Sequence, residues 1–204
     1  MKRQATADGV FMTWWMVANV LPLAVGWHWL GTTIVDYPGG VTVILFFLQC
    51  LVFIGQWLIL RRYLSVDHWW LTASVAGLLV GFVAGAFVGG SVNALIGSSG
   101  FDVALFIIVS ITGGVLGLVQ MLVLGRFVQS SRWWIPASTV GWLAPFVVII
   151  LVGHNLDYAV MGLFNGALFG CVYGIITGVV LLRLVCRKRT FSFTHTMLRE
   201  LYRS

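Results

Sequence analysis

Along the chain, long apolar stretches alternate with short polar breaks. The apolar runs are Val10–Val35, Val41–Leu60, Trp69–Ile96, Val103–Gly125, Trp133–Gly153 and Tyr158–Val185. At 1.5 Å of rise per residue, each is long enough to cross a hydrocarbon layer about 30 Å thick. The breaks are Asp36–Gly40, Arg61–His68, Gly97–Asp102, Arg126–Arg132 and His154–Asp157. The runs are continuously apolar and lack the alternation of a membrane barrel. The pattern therefore predicts an all-α integral membrane protein, a six-helix transmembrane bundle. The first run is longer than the roughly 7–15 residues of a cleaved signal core, and no small-residue cleavage site follows it, so it is expected to persist as a helix.

Charge orients the bundle. All twelve lysines and arginines fall on one side of this threading: Lys2, Arg3, Arg61, Arg62, Arg126, Arg132, Arg183, Arg187, Lys188, Arg189, Arg199 and Arg203. By the positive-inside rule that side is cytoplasmic, which places both termini inside a cytoplasmic membrane. A miscounted helix would scatter these charges over both faces.

The pattern also repeats. Trp14-Trp15-Met16-Val17-Ala18-Asn19, Trp69-Trp70-Leu71-Thr72-Ala73-Ser74 and Trp133-Trp134-Ile135-Pro136-Ala137-Ser138 share W-W-x-x-A-[N/S], each opening an odd-numbered helix. Even-numbered helices close on a second pattern, in which Gln56, Leu60 and Arg62 match Gln120, Leu124 and Arg126, and less closely Thr177, Leu181 and Arg183. One acid stands near the start of each even helix: Asp36, Asp102 and Asp157. The chain divides into three helical hairpins, 1–64, 65–128 and 129–190, followed by a basic tail, 191–204. Since each unit crosses twice, the copies run parallel, and pseudo-threefold symmetry about the membrane normal is the expected arrangement. The repeated element, Gly55-Gln56-Trp57 with Leu60 and Arg62 and then Trp69-Trp70, resembles that of prokaryotic multi-pass membrane proteins. The resemblance implies a fold and no particular activity.

Composition narrows the function. Of 204 residues, 60% are hydrophobic and only 9% charged, against about 25% charged in a soluble domain. Six spans leave no room for a soluble catalytic domain. The net charge of +6 lies in short inter-helix segments, which favours anionic lipid headgroups over nucleic acid as its counterpart. The tail carries Phe191, Phe193, Met197, Leu198, Leu201 and Tyr202 among its cations, a composition that predicts an amphipathic helix on the inner membrane surface. Cys50, Cys171 and Cys186 form no paired motif, so no disulfide or metal site is expected. Cys186 beside Arg187, Lys188 and Arg189 also fits a palmitoylation setting.

Glycines recur at spacing four: Gly77, Gly81, Gly85 and Gly89 in the third helix, and Gly162, Gly166, Gly170, Gly174 and Gly178 in the sixth. Such stripes form grooves that let helix backbones approach closely, so these are helix-packing residues. Trp14, Trp15, Trp69, Trp70, Trp133 and Trp134 sit where amphipathic rings anchor at the headgroup boundary. The acids read as helix caps, or as an outer ring attracting cations. Gln56 and Gln120 lie inside the bilayer, where an unpaired amide is costly. They are expected to bond a tryptophan N–H, or Ser74 or Ser138. The functional alternative is a polar pocket on the pseudo-threefold axis, bound by Gln56, Gln120, Thr177 and Asn19. Gln49, Asn93 and Asn165 are further buried polar positions.

Enzyme signals are sparse. Gly97-Ser98-Ser99-Gly100 resembles the G-x-S-G of rhomboid proteases, which implies a Ser99–His154 dyad, but the resemblance covers four residues and lacks the family's glycines after the histidine. His28, between Trp27 and Trp29, is a lone ligand for haem or a chlorin, and no cofactor is expected from it. The reading is a non-enzymatic structural or accessory subunit or scaffold, with a membrane-protein partner or a homo-oligomer as its setting. A small-solute or lipophile binding or transport protein is the alternative, and an intramembrane serine protease the remote one.

Overall fold

The computed structural model describes residues 2–33, 38–97, 101–128, 130–152 and 158–201. Six helices account for them: α1 (Lys2–Thr33), α2 (Pro38–Leu64), α3 (Trp69–Ile96), α4 (Phe101–Leu124), α5 (Trp134–Val152) and α6 (Tyr158–Leu201). Five of these, α1 to α4 and α6, are long and apolar enough to cross a membrane. α5 has 19 residues.

Local sequence explains the helix ends. Pro38 opens α2, where its missing N–H costs nothing. α2 stops where Ser65 turns left-handed at φ 56°. Asp67 then fixes the entry to α3: its carboxylate accepts from the Trp69 N–H at 3.2 Å, and its carbonyl accepts from the Trp57 indole at 3.0 Å. Between α4 and α5 the chain turns through Ser130, at φ 62°, and a short 3-10 turn, Ser131–Trp133. Pro22 and Pro145 lie inside helices that continue past them. α6 runs without a break from the span through the basic segment to Leu201, so the backbone of the tail is a continuation of that helix.

The helices form a closed ring in chain order, with α1 returning to α6. Packing is closest between α1 and α6 and between α3 and α4, and thinnest between α2 and α3. The two close pairs are those with the glycine stripes. A Cβ on Gly81 would stand 2.9 Å from the Thr112 Cα, and one on Gly85 would stand 2.8 Å from the Ile108 carbonyl oxygen, both backbone atoms of α4. Gly162, Gly166 and Gly170 meet the backbone of α1 in the same way, while Gly174 and Gly178 meet its side chains, Met16 and Asn19 at the first and Trp15 and Met12 at the second. Without side chains at these points, the backbones gain dispersion contact that lipid cannot supply.

The main buried cluster sits at one end of the ring and draws on all six helices: Phe11, Trp15, Leu60, Leu64, Trp70, Val123, Leu124, Trp134, Leu181 and Leu184 are among its members. Early residues of α1, α3 and α5 therefore meet late residues of α2, α4 and α6. The helices alternate in direction, and at this same end Arg61 and Arg62 close α2, Arg126 and Arg132 stand in the connection from α4 to α5, and Arg183 lies beside Leu181 and Leu184 on α6.

Candidate functional site

The tryptophan pairs are split by the helix that carries them. Successive residues on an α-helix point about 100° apart, so the two rings of a pair cannot share one environment. Trp14, Trp69 and Trp133 are 56%, 50% and 57% exposed, whereas Trp15, Trp70 and Trp134 are fully buried. Headgroup anchoring suits the first three. It does not describe Trp15, Trp70 and Trp134, which point inward and meet. The Trp134 ring is edge-on to both others, with centroids 6.3 Å from Trp15 and 5.9 Å from Trp70.

One turn further along the odd helices stand Asn19, Ser74 and Ser138, and opposite them Gln56, Gln120 and Thr177 from the even helices. All six are fully buried. Leu60, Leu124 and Leu181, each four residues on, separate this polar layer from the bundle end and are equally buried.

Hydrogen bonds join neighbouring helices around the layer. Gln56 Nε2 donates to Asn19 Oδ1 at 2.9 Å, joining α2 to α1. Gln120 Nε2 donates to Ser74 Oγ at 2.8 Å, joining α4 to α3, while its Oε1 accepts from the Trp134 indole at 2.9 Å, joining α4 to α5. The Trp15 indole donates to Thr177 Oγ1 at 3.1 Å, joining α1 to α6. Asn19 Nδ2 is satisfied by the Trp15 carbonyl at 2.7 Å, and the Thr177 hydroxyl donates to the Tyr173 carbonyl at 2.7 Å.

Two junctions of the ring stay open. Between α2 and α3, Gln56 Oε1 and Trp70 Nε1 are both unpaired, although Trp70 follows Gln56 at the same offset by which Trp134 follows its partner Gln120. Between α5 and α6, Ser138 Oγ and the Tyr173 hydroxyl are unpaired. Tyr173 was not among the residues singled out by sequence; the signal that marks it is a lone phenol one turn before Thr177, where the other hairpins have Val52 and Leu116.

The layer thus brings together Asn19, Gln56, Gln120 and Thr177. His28 is not part of it: it lies more than two turns further along α1 and is exposed, with its Cα beside Gly162. Gln49 and Asn165 are buried and Asn93 is half-buried, all away from the layer. Amides, hydroxyls and indoles give the layer hydrogen-bonding capacity and no general base. Among the described residues, no group of three or more His, Cys, Asp or Glu could hold a metal ion. Ser98, Ser99, His154, Asp36 and Asp157 lie outside the described residues, as do the side chains of Asp102 and Cys186.

A second feature lies at the α2–α3 turn, where Trp57, Arg61, Ser65, Val66, Asp67 and His68 line an open cleft of about 480 Å³. The Arg61 guanidinium sits over the Trp57 ring, 5.3 Å from its centroid. No family model, curated protein or solved structure matches this chain.

Proposed function

We propose that the chain is a non-enzymatic multi-pass membrane protein, a structural or accessory subunit whose interior is committed to holding six helices in a fixed ring. The observation that carries this reading is the chain of interhelical bonds through Trp15–Thr177, Asn19–Gln56, Ser74–Gln120 and Gln120–Trp134. Polar side chains inside a bilayer are costly unless paired, and here most of them are matched to one another at helix junctions.

The same residues support descent from three parallel hairpins with pseudo-threefold symmetry. Trp15, Trp70 and Trp134, then Asn19, Ser74 and Ser138, then Gln56, Gln120 and Thr177 occupy corresponding places and are all fully buried. On this reading α5 crosses as the other helices do, the arginine-rich end faces the cytoplasm, and the Arg61 cleft meets anionic headgroups.

A subunit needs a surface for its neighbour. Val80, Val83 and Phe87 form one stripe on α3, at 60%, 66% and 77% exposure, well away from the α4 contact made by its glycines. A photo-crosslinking residue at Phe87, activated in native membranes, is expected to give one discrete adduct, at twice the chain mass for a homo-oligomer or at another fixed mass for a partner chain. Adducts to lipid alone would overturn the subunit reading. A binding protein for small solutes is the second reading, favoured by the unpaired groups at the two open junctions.

A further inference from the structure

The turn from α2 to α3 is shaped by its own side chains into a fixed cleft. Ser65 takes the left-handed conformation, and Val66 is buried at 1% exposure, which pins the turn to the bundle. The Asp67 carbonyl accepts from the Trp57 indole at 3.0 Å, tying the turn back to the end of α2. Arg61 from α2 and Asp67 and His68 from the turn stand around the opening. Its volume, about 480 Å³, falls among those of small-molecule sites, about 300–1,000 Å³.

Charges of both signs line this opening. The Arg61 guanidinium lies over the Trp57 ring, 5.3 Å from its centroid, so the cation is held at the cleft wall. Asp67 Oδ1 accepts from the Trp69 N–H at 3.2 Å, a single bond for a carboxylate with about four acceptor sites. Among the described residues, neither Arg61 nor Asp67 forms an ion pair. Two opposite charges thus share one cleft without neutralising each other. From Arg61 towards the middle of the span, Leu58, Ile54 and Leu51 follow at helical spacing on one side of α2, at 55%, 42% and 38% exposure. An exposed apolar stripe therefore leads directly into a cleft that carries both charges.

We propose that the cleft binds the headgroup of one phospholipid carrying both a phosphate and a primary ammonium, a phosphoethanolamine lipid, with its acyl chains along Leu58, Ile54 and Leu51. This rests on the reading that the arginine-rich end of the ring lies in a headgroup layer, and it specifies the headgroup. Arg61 donates to the phosphate oxygens, which its planar fork matches in geometry. The unused acceptor sites of Asp67 take the ammonium N–H groups in charge-assisted hydrogen bonds. A phosphoglycerol headgroup brings the phosphate without a cation, so Asp67 repels it. A choline headgroup brings a cation with no N–H to donate, and a Trp57 face suited to holding it is already taken by Arg61. A phosphoethanolamine ester without acyl chains satisfies the charges and forfeits the apolar stripe.

The test is native mass spectrometry of the full chain. Phosphatidylethanolamine, phosphatidylglycerol and phosphatidylcholine of identical acyl chains are titrated singly, with glycerophosphoethanolamine as a chain-free competitor. The first phosphatidylethanolamine is expected to bind more tightly than either other lipid by about tenfold, the effect of one charge-assisted hydrogen bond. Asp67→Asn keeps an acceptor for the Trp69 N–H and loses the charge, so it should erase that preference. Arg61→Gln should weaken all three lipids alike, by about tenfold, and takes over as the test variant should Asp67→Asn fail to fold. Equal or tighter binding of either other lipid to the unaltered protein, or an unchanged preference in Asp67→Asn, overturns the proposal and leaves the headgroup reading in place. Affinities that do not move in Arg61→Gln overturn both. Displacement of the lipid by glycerophosphoethanolamine at equal concentration assigns the cleft to a soluble ester and overturns the lipid.

Discussion

Replacing Gly170 by alanine tests the close approach of α6 to α1. A Cβ there would stand 2.5 Å from the Val20 Cα, 2.7 Å from the Asn19 carbonyl oxygen and 2.9 Å from the Val20 nitrogen. All are backbone atoms of α1, so no rotamer change relieves the clash. Ordinary carbon contacts lie at about 3.5–4.0 Å, so α1 and α6 must part by about 1 Å. A gap of that size forfeits about a quarter to a half of the attraction in each affected contact. The loss spreads along the face shared by Gly162, Gly166, Gly174 and Gly178. Overpacking of this kind costs about 1–3 kcal/mol, against a gain of about 0.5–1 kcal/mol from replacing glycine within a helix. Gly170→Ala should therefore be less stable by about 1–2 kcal/mol. Gly90→Ala is the control, because nothing lies within 4 Å of its added methyl. Reversible unfolding in mixed micelles measures both. If Gly170→Ala proves as stable as Gly90→Ala, the close approach of α1 and α6 is wrong.

The polar layer predicts unequal costs for two similar changes. Gln120→Leu removes bonds to Ser74 and Trp134, whereas Gln56→Leu removes only the bond to Asn19; in the same unfolding assay the first should cost more, by about 0.6 kcal/mol, the average worth of such a bond in a membrane. Trp70→Ala should cost about 3–5 kcal/mol by emptying a buried site, while Trp69→Ala, half exposed, should cost far less; equal losses would contradict the inward placement of Trp70. At Ser65, whose φ is 56°, glycine should raise stability in that assay by up to about 1–2 kcal/mol, since it relieves the left-handed penalty of a side chain bearing a Cβ; a loss of stability would contradict the left-handed turn.

Helix positions were legible in the sequence because a membrane helix needs a long apolar run, and the expected run Trp69–Ile96 coincides with α3. The apolar run Val41–Leu60 is shorter than α2, which continues past Leu60 to Leu64, since arginines suit a helix C-terminus. The pairing of Gln120 with Trp134 and Ser74 was likewise foreseeable, because an amide at that depth must find a donor and an acceptor. The W-W motif alone suggests anchoring for both rings, whereas the helical period divides each pair: two adjacent rings cannot both face the headgroups or both face the interior. The Trp15–Thr177 bond joins the first helix to the last, a closure that local pattern does not encode.

The alternating ring implies that the α2–α3 turn and the α4–α5 turn face one compartment and the end of α3 faces the other. Single cysteines at Ser65, Ser130 and Gly97, in a background without Cys50, Cys171 and Cys186, can be labelled with an impermeant maleimide in right-side-out and inverted vesicles. Positions 65 and 130 should react only in inverted vesicles, and position 97 only in right-side-out ones. Labelling of Gly97→Cys from the same side as Ser65→Cys would contradict the arrangement of helices on which the whole account rests.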